Sequence, residues 1–108
     1  MNSVIQIIEP EGILDATKTT DFQNQIEQSV ESGVRTILID FSHVTFMDSS
    51  GLGALVKAFK FLEAADVKLF LCSINEQIRM LFELTSMDKF FVILSDREKF
   101  EEYLQKKV

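Results

Sequence analysis

Short apolar runs alternate along the chain with longer amphipathic segments, and this pattern indicates strands separated by helices. We predict about five strands, at residues 4–8, 13–14, 36–40, 67–72 and 91–94. Four helices are expected, one before residue 36 and one after each of the last three strands. Strands joined through single helices pair in parallel by right-handed crossovers. The sequence therefore predicts an α/β fold, with one domain over residues 1–108 and a mostly parallel sheet.

The first two predicted strands are separated by a turn instead of a helix. The run Glu9-Pro10-Glu11-Gly12 places proline and glycine where turns favour them. Because a short turn commonly joins antiparallel neighbours, we expect an antiparallel N-terminal hairpin beside the parallel sheet.

The composition and charge of the chain restrict its function. The 108 residues suffice for one core, and 46% of them are hydrophobic. A net charge of −6 argues against nucleic acid as a partner, and no apolar run approaches the roughly 18 residues of a membrane span. The single cysteine, Cys72, and an N-terminus unlike a signal peptide predict a reducing, cytoplasmic location. We expect neither a nucleic-acid nor a membrane partner.

The segment Asp48-Ser49-Ser50-Gly51-Leu52-Gly53 leads directly into an apolar helix that we expect to extend to about residue 65. It places two hydroxyls and a carboxylate at a helix N-terminus, where free N–H groups and the helix dipole favour an anion. No base nearby in the sequence would activate either serine as a nucleophile, so we predict a phosphate acceptor and no enzyme activity. The alternative for Ser49 is an ordinary N-cap, and for Ser50 a cap or hydrogen-bonding role is favoured.

The helix after this segment carries two apolar stripes. One is assigned to the core and comprises Leu52, Leu55, Val56, Phe59 and Leu62. The second lies on roughly the opposite side and comprises Ala54, Ala58, Phe61 and Ala65. Small residues with one aromatic predict a flat docking surface, although Phe61 could instead pack against a neighbouring helix.

Two glycines in the first turn of this helix weaken it, because glycine costs about 1 kcal/mol relative to alanine inside a helix. This cost is explained if something must approach the backbone closely at Gly51 and Gly53. The alternative is that Gly51 serves turn geometry and that Gly53 packs closely on the sheet.

The run Phe46-Met47-Asp48-Ser49-Ser50-Gly51-Leu52-Gly53 resembles the signature of the STAS domain, specifically of bacterial anti-sigma factor antagonists. The resemblance extends across essentially the whole chain. It implies a phosphorylation-switched binding protein whose unphosphorylated form binds an anti-sigma factor, a serine kinase of the GHKL type, and so frees a sigma factor. It also implies that this kinase phosphorylates the serine directly after the motif aspartate, Ser49, and that a PPM-type phosphatase reverses the modification.

The resemblance further implies which residues face the partner. Asp15 matches the aspartate that ends the Gly-Glu-Leu-Asp run of the family, although Ile13 stands here in place of the usual acidic residue. Together with the helix pattern, this predicts a set of partner-binding residues around the acceptor: Asp15, Asp48, Ser50, Gly51, Gly53, Ala54, Lys57, Ala58 and Phe61.

Several alternatives remain open. Asp40 ends a predicted central strand near Asp48, so a receiver-like domain phosphorylated on aspartate is possible, although the first strand lacks the paired acidic residues of a Mg²⁺ site. A STAS module could also serve a stressosome-like or a lipid or anion transport complex, or bind a nucleotide or lipid. We expect His43 to be a polar loop residue and Cys72 to be a buried small hydrophobe, with no metal or cofactor.

Overall fold

The computed structural model describes residues 5–106 and alternates strands with helices as predicted. The strands within this range are β1 (Ile5–Ile8), β2 (Gly12–Leu14), β3 (Thr36–Asp40), β4 (Val44–Met47), β5 (Lys68–Cys72) and β6 (Val92–Leu94). The α-helices are α1 (Thr19–Glu31), α2 (Ser49–Ala64), α3 (Glu76–Leu84) and α4 (Arg97–Lys106), and a 3₁₀ helix spans Met87–Lys89. The predicted start of the first strand, Val4, lies outside the described residues.

The strands form two parallel sheets. Four of them lie in the order β1-β3-β5-β6, and β2 pairs with β4 in a separate two-stranded ribbon. The predicted antiparallel hairpin is wrong, because β1 pairs with β3 and β2 pairs with β4, both in parallel. Gly12, with a φ of 75°, donates its N–H to the carbonyl of His43 at 2.8 Å. This bond joins β2 to the segment before β4, a strand that the sequence prediction missed.

Helices cover both faces of the four-stranded sheet. Every residue of β3 is buried, as its nearly continuous apolar sequence predicts. Ile37 and Ile39 belong to a core cluster that includes buried residues of α1, α2 and α3, whereas Leu38 belongs to a second cluster with Phe100 of α4. Cys72 lies in this second cluster and is fully buried, and its burial raises the pKa of its thiol. The expectation that Cys72 is a buried small hydrophobe is confirmed.

Candidate functional site

The predicted acceptor segment, residues 48–53, begins α2, and its aspartate caps the helix. Asp48 has an extended backbone, and its Oδ1 accepts a hydrogen bond from the N–H of Gly51 at 3.0 Å. Ser49 and Ser50 occupy the first two helical positions, and both are exposed. The ordinary N-cap interpretation of Ser49, and the cap role favoured for Ser50, are therefore wrong, because Asp48 fills that role. Within residues 5–106 neither hydroxyl makes a hydrogen bond, so Ser49 Oγ is free to react.

The two glycines of this segment serve different purposes. A Cβ on Gly51 would lie 2.2 Å from the carbonyl oxygen of Leu14 and 3.0 Å from Cγ of Met47. The close approach at Gly51 is therefore made by the chain itself, because α2 abuts the end of the ribbon. Gly53 is exposed, and a Cβ there would meet nothing within 4 Å. Its predicted alternative role, close packing on the sheet, is wrong, and its backbone is open to an approaching molecule.

Asp15 lies beside the predicted acceptor segment because the ribbon is parallel. Leu14 and Met47 are paired, so Asp15 and Asp48 follow directly on the carboxyl ends of adjacent strands. The Asp48 N–H also donates to the carbonyl of Leu14 at 3.4 Å. Asp15 Oδ1 accepts from the hydroxyl of Thr17 at 2.6 Å and from its N–H at 3.0 Å, and these bonds lower the pKa of Asp15. Two carboxylates therefore flank one edge of the site.

The second stripe of α2 is only partly exposed. Ala54 and Ala58 are 7% and 0% exposed, so their predicted place on an open docking surface is wrong. The physical reason is that α1 packs beside α2, where the side-chain amide of Gln23 donates to the carbonyl of Ala54 at 2.8 Å. Phe61 is 38% exposed and Lys57 is also exposed, so these two residues remain available to a partner.

A shallow groove of about 470 Å³ runs between α1 and α2 next to the acceptor. Ser50, Gly53 and Lys57 line it from α2, and the facing residues of α1 include Thr19, Thr20 and Asn24. Ala54 also lines the groove, so the structure brings four of the predicted partner-binding residues together along one surface.

Asp40, the alternative phosphate acceptor, is engaged in a buried contact. Its Oδ2 lies 2.7 Å from Nε of Arg97, and its Oδ1 accepts from the N–H of Ser42 at 2.9 Å. Burial acts to raise the pKa of this carboxyl, but the hydrogen bonds from Ser42 and Arg97 outweigh it and hold the pKa below its usual value. Arg97 also pairs with Glu9. With only 4% of its surface exposed, Asp40 fixes α4 to the sheet and is inaccessible to a phosphate donor.

His43 is an exposed residue between β3 and β4, as expected. Residues 5–106 contain no cluster of three His, Cys, Asp or Glu side chains that could hold a metal ion. None of the described helices combines the length and the apolar character needed to cross a bilayer.

Sequence reasoning missed one feature next to the acceptor. Ile13 and Phe46 are partners across the ribbon and are 49% and 45% exposed. The apolar run that precedes Asp48 was the sequence signal for this pair. Phe46 could be assigned to the surface only once β4 and its pairing were known.

Comparisons with known proteins agree with this architecture. The sequence profile of the STAS domain family matches residues 2–103. The anti-sigma-B factor antagonist of Staphylococcus aureus is 30% identical over 76 residues, which cover 70% of each protein. The anti-sigma factor antagonist SpoIIAA in its unphosphorylated form has a TM-score of 0.78 and 22% identity, covering 97% of this chain and 92% of that chain.

The fold is also shared with a phosphorylated protein. The Bacillus cell fate determinant SpoIIAA in its phosphorylated form has a TM-score of 0.71 and 23% identity, covering 95% of this chain and 94% of that chain. The chain therefore belongs to the STAS domain family, alongside the anti-sigma factor antagonists that it resembles in sequence and fold.

Proposed function

We propose that this protein is an anti-sigma factor antagonist whose binding is switched off by phosphorylation of Ser49. The observation that carries the proposal is the exposed, unbonded hydroxyl of Ser49 in the first turn of α2, directly after the capping carboxylate of Asp48. The Staphylococcus aureus relative, named an anti-sigma-B factor antagonist, supports the assignment. So does the shared fold of SpoIIAA, which has been solved with and without phosphate.

The switch acts on the surface and leaves the fold intact. A phosphate on Ser49 adds a charge of about −1.5 to −2 at pH 7. At a helix N-terminus this charge is tolerated, because free N–H groups and the helix dipole favour an anion. The phosphate would stand next to the carboxylate of Asp48 and close to the open backbone of Gly53, where its bulk and charge exclude an approaching partner.

The partners follow from this switch. The unphosphorylated form binds an anti-sigma factor, which is also the serine kinase, of the GHKL type, and a PPM-type phosphatase restores that form. The contact surface comprises the accessible members of the predicted set: Asp15, Asp48, Ser50, Gly53, Lys57 and Phe61. The protein itself acts in the cytoplasm by binding and not by catalysis.

The test begins with capture of the kinase. Wild-type protein and the Ser49→Asp variant are used as bait in extracts of the native cell, and a GHKL-type kinase retained only by the wild type is purified. That kinase is incubated with ATP and with wild-type, Ser49→Ala or Ser50→Ala protein. We expect Ser49→Ala to abolish phosphate incorporation and Ser50→Ala to retain it, with mass spectrometry mapping the phosphate.

Phosphate mapped to Ser50 or to an aspartate would overturn the proposal. Hydroxylamine separates these outcomes chemically, because an acyl-phosphate is cleaved and phosphoserine resists. Failure of every GHKL-type kinase of the source cell to modify or bind the wild type would also contradict it.

A further inference from the structure

The outward face of the ribbon carries an apolar pair that residues 5–106 leave about half exposed. Leu14 and Met47 point inward and are 2% and 0% exposed, whereas the preceding pair, Ile13 and Phe46, points outward. We call these two residues the outer pair. Their exposed fractions of 49% and 45% leave about half of each side chain in water, although both residues are among those most often buried.

The backbone edges of the ribbon are already occupied by side chains. Lys18 Nζ donates to the carbonyl of Glu11, just before β2, and to that of Ile13 on β2, at 3.2 Å in each case. On β4, the amide of Gln77 bonds to both the N–H and the carbonyl of Met47, at 2.9 and 2.8 Å. Asn75 donates to the carbonyls of Val44 and Thr45. A partner is therefore not expected to add a strand here, and it would contact the outer pair through side chains.

The outer pair lies within reach of any enzyme that acts on Ser49. Phe46 precedes Ser49 by three residues of largely extended chain, which places it within about 10 Å of Ser49 at 3.3 Å per residue. A standard interface covers about 800 Å² on each partner, equivalent to a disc of roughly 16 Å radius. A kinase seated on the Ser49 hydroxyl therefore has a footprint large enough to include the outer pair.

We propose that Ile13 and Phe46 form the apolar anchor by which the serine kinase docks beside Ser49, and that the kinase presents an apolar patch to them. This inference rests on the proposed function. Both side chains project from paired strands, so a partner that covers them orders only their rotamers and no additional backbone. An aromatic side chain that becomes fully buried in the centre of an interface is a common hot spot.

The experiment uses the purified GHKL-type kinase captured above and isothermal titration calorimetry. Wild-type protein is compared with Ile13→Thr, which keeps the β-branched shape, and with Phe46→Ala. Phe90→Ala is the matched control, because Phe90 is 59% exposed and lines a different surface, together with Lys60 and Met87. Circular dichroism of each variant verifies the fold, and Phe46→Leu replaces Phe46→Ala if that variant fails to fold.

We expect Phe46→Ala to raise the Kd about tenfold or more, Ile13→Thr to raise it in the same direction, and Phe90→Ala to leave it unchanged. A smaller effect of Phe46→Ala, or an equal effect of Phe90→Ala, would overturn the inference while leaving Ser49 phosphorylation intact. A wild-type dimer in analytical ultracentrifugation that Phe46→Ala dissociates would also overturn it, because the outer pair would then serve a second copy. If the wild type is neither bound nor phosphorylated by the kinase, the proposed function fails instead.

Discussion

Two aspartates at the carboxyl ends of strands in this protein have opposite surroundings. Asp40 ends β3 and Asp48 directly follows β4, and each accepts a hydrogen bond from a backbone N–H two or three residues ahead, Ser42 and Gly51 respectively. Asp40 is 4% exposed and is paired with Arg97. Asp48 is half-buried, makes no ion pair within the described residues, and is followed by an exposed serine.

The difference shows how one residue type at a strand end can serve either structure or function. At Asp40 the charge is paired with Arg97 of α4, so the pair links that helix to the sheet. At Asp48 the charge only organises the first turn of α2 and leaves the next side chain accessible. Changes near Asp40 should therefore alter stability, whereas those at the exposed surface beside Asp48 should alter binding.

The largest effect is expected at the contact that positions the Asp48 turn against the ribbon. Gly51→Ala would place a Cβ 2.2 Å from the Leu14 carbonyl, and we expect a loss of about 3 kcal/mol in the free energy of unfolding. Gly53→Ala is the matched control, because it enters open space and should stabilise the helix by up to about 1 kcal/mol. Urea denaturation measures both, and equal effects would show that the Leu14 contact is unimportant.

A smaller loss is expected when the charge of Asp40 is removed. Asp40→Asn keeps the size of the side chain but loses the charge-assisted hydrogen bond to Arg97, so we expect a loss of about 2 kcal/mol at pH 7. Binding of the kinase by the folded variant should be unchanged. A variant as stable as the wild type would contradict the structural role assigned to Asp40.

The pH dependence of stability in the Asp40→Asn variant gives a second test of the role of Asp40. The folded-state pKa of Asp40 is depressed below the unfolded value of about 3.9, so its contribution is fully present above that value and is lost as the pH falls through the folded pKa. The stability gap between the wild type and Asp40→Asn should therefore narrow below about pH 4, as measured by thermal unfolding across pH. Asp15 and Glu76 also have lowered pKa values and titrate in both proteins, so they cancel in this difference.

A loss of stability smaller than that of Asp40→Asn is expected at the N-cap of α2. Asp48→Ala removes the acceptor for the Gly51 N–H and should cost about 1 kcal/mol. Asp48→Asn retains an acceptor oxygen and should restore most of this stability. If both variants lose equal stability, the contribution of Asp48 lies in its charge and not in the cap.

The smallest effect on stability is expected from the modification itself. Phosphorylated and unmodified protein should melt within a few degrees of each other, since a change of 1 kcal/mol moves Tm by roughly 4–8 °C in a domain of this size. Differential scanning calorimetry on protein verified by mass spectrometry makes the comparison. A much larger fall in Tm would show that phosphorylation acts by unfolding the domain.

The sequence pattern predicted the helices and strands better than it predicted which of them pack together. The continuous apolar run of β3 and the core stripe of α2 follow directly from periodicity, and both lie in the core. Periodicity gives the angle of Ala54 and Ala58 around α2, but not the presence of α1 beside them, so their burial was missed.

The start of α2 after Asp48 was predicted from its residues, and the ribbon behind it was not. β4 has only four residues, and the exposed Phe46 breaks the alternation that marks a half-buried strand. β2 pairs with β4, which lies far from it along the chain. From the sequence, β2 was therefore assigned to the adjacent strand β1 instead. Likewise, Gly51 indicated a close approach, but only the structure identifies the Leu14 carbonyl as what approaches.

The burial of Cys72 has a practical consequence for following the switch in real time. The chain has one cysteine, which is fully buried and whose thiol has a raised pKa, so maleimide reagents should react with it slowly. Thr45 is exposed on β4 beside the outer pair, and a Thr45→Cys variant would offer the fast-reacting thiol. A fluorophore attached there would report the arrival and departure of a partner without a background label in the core.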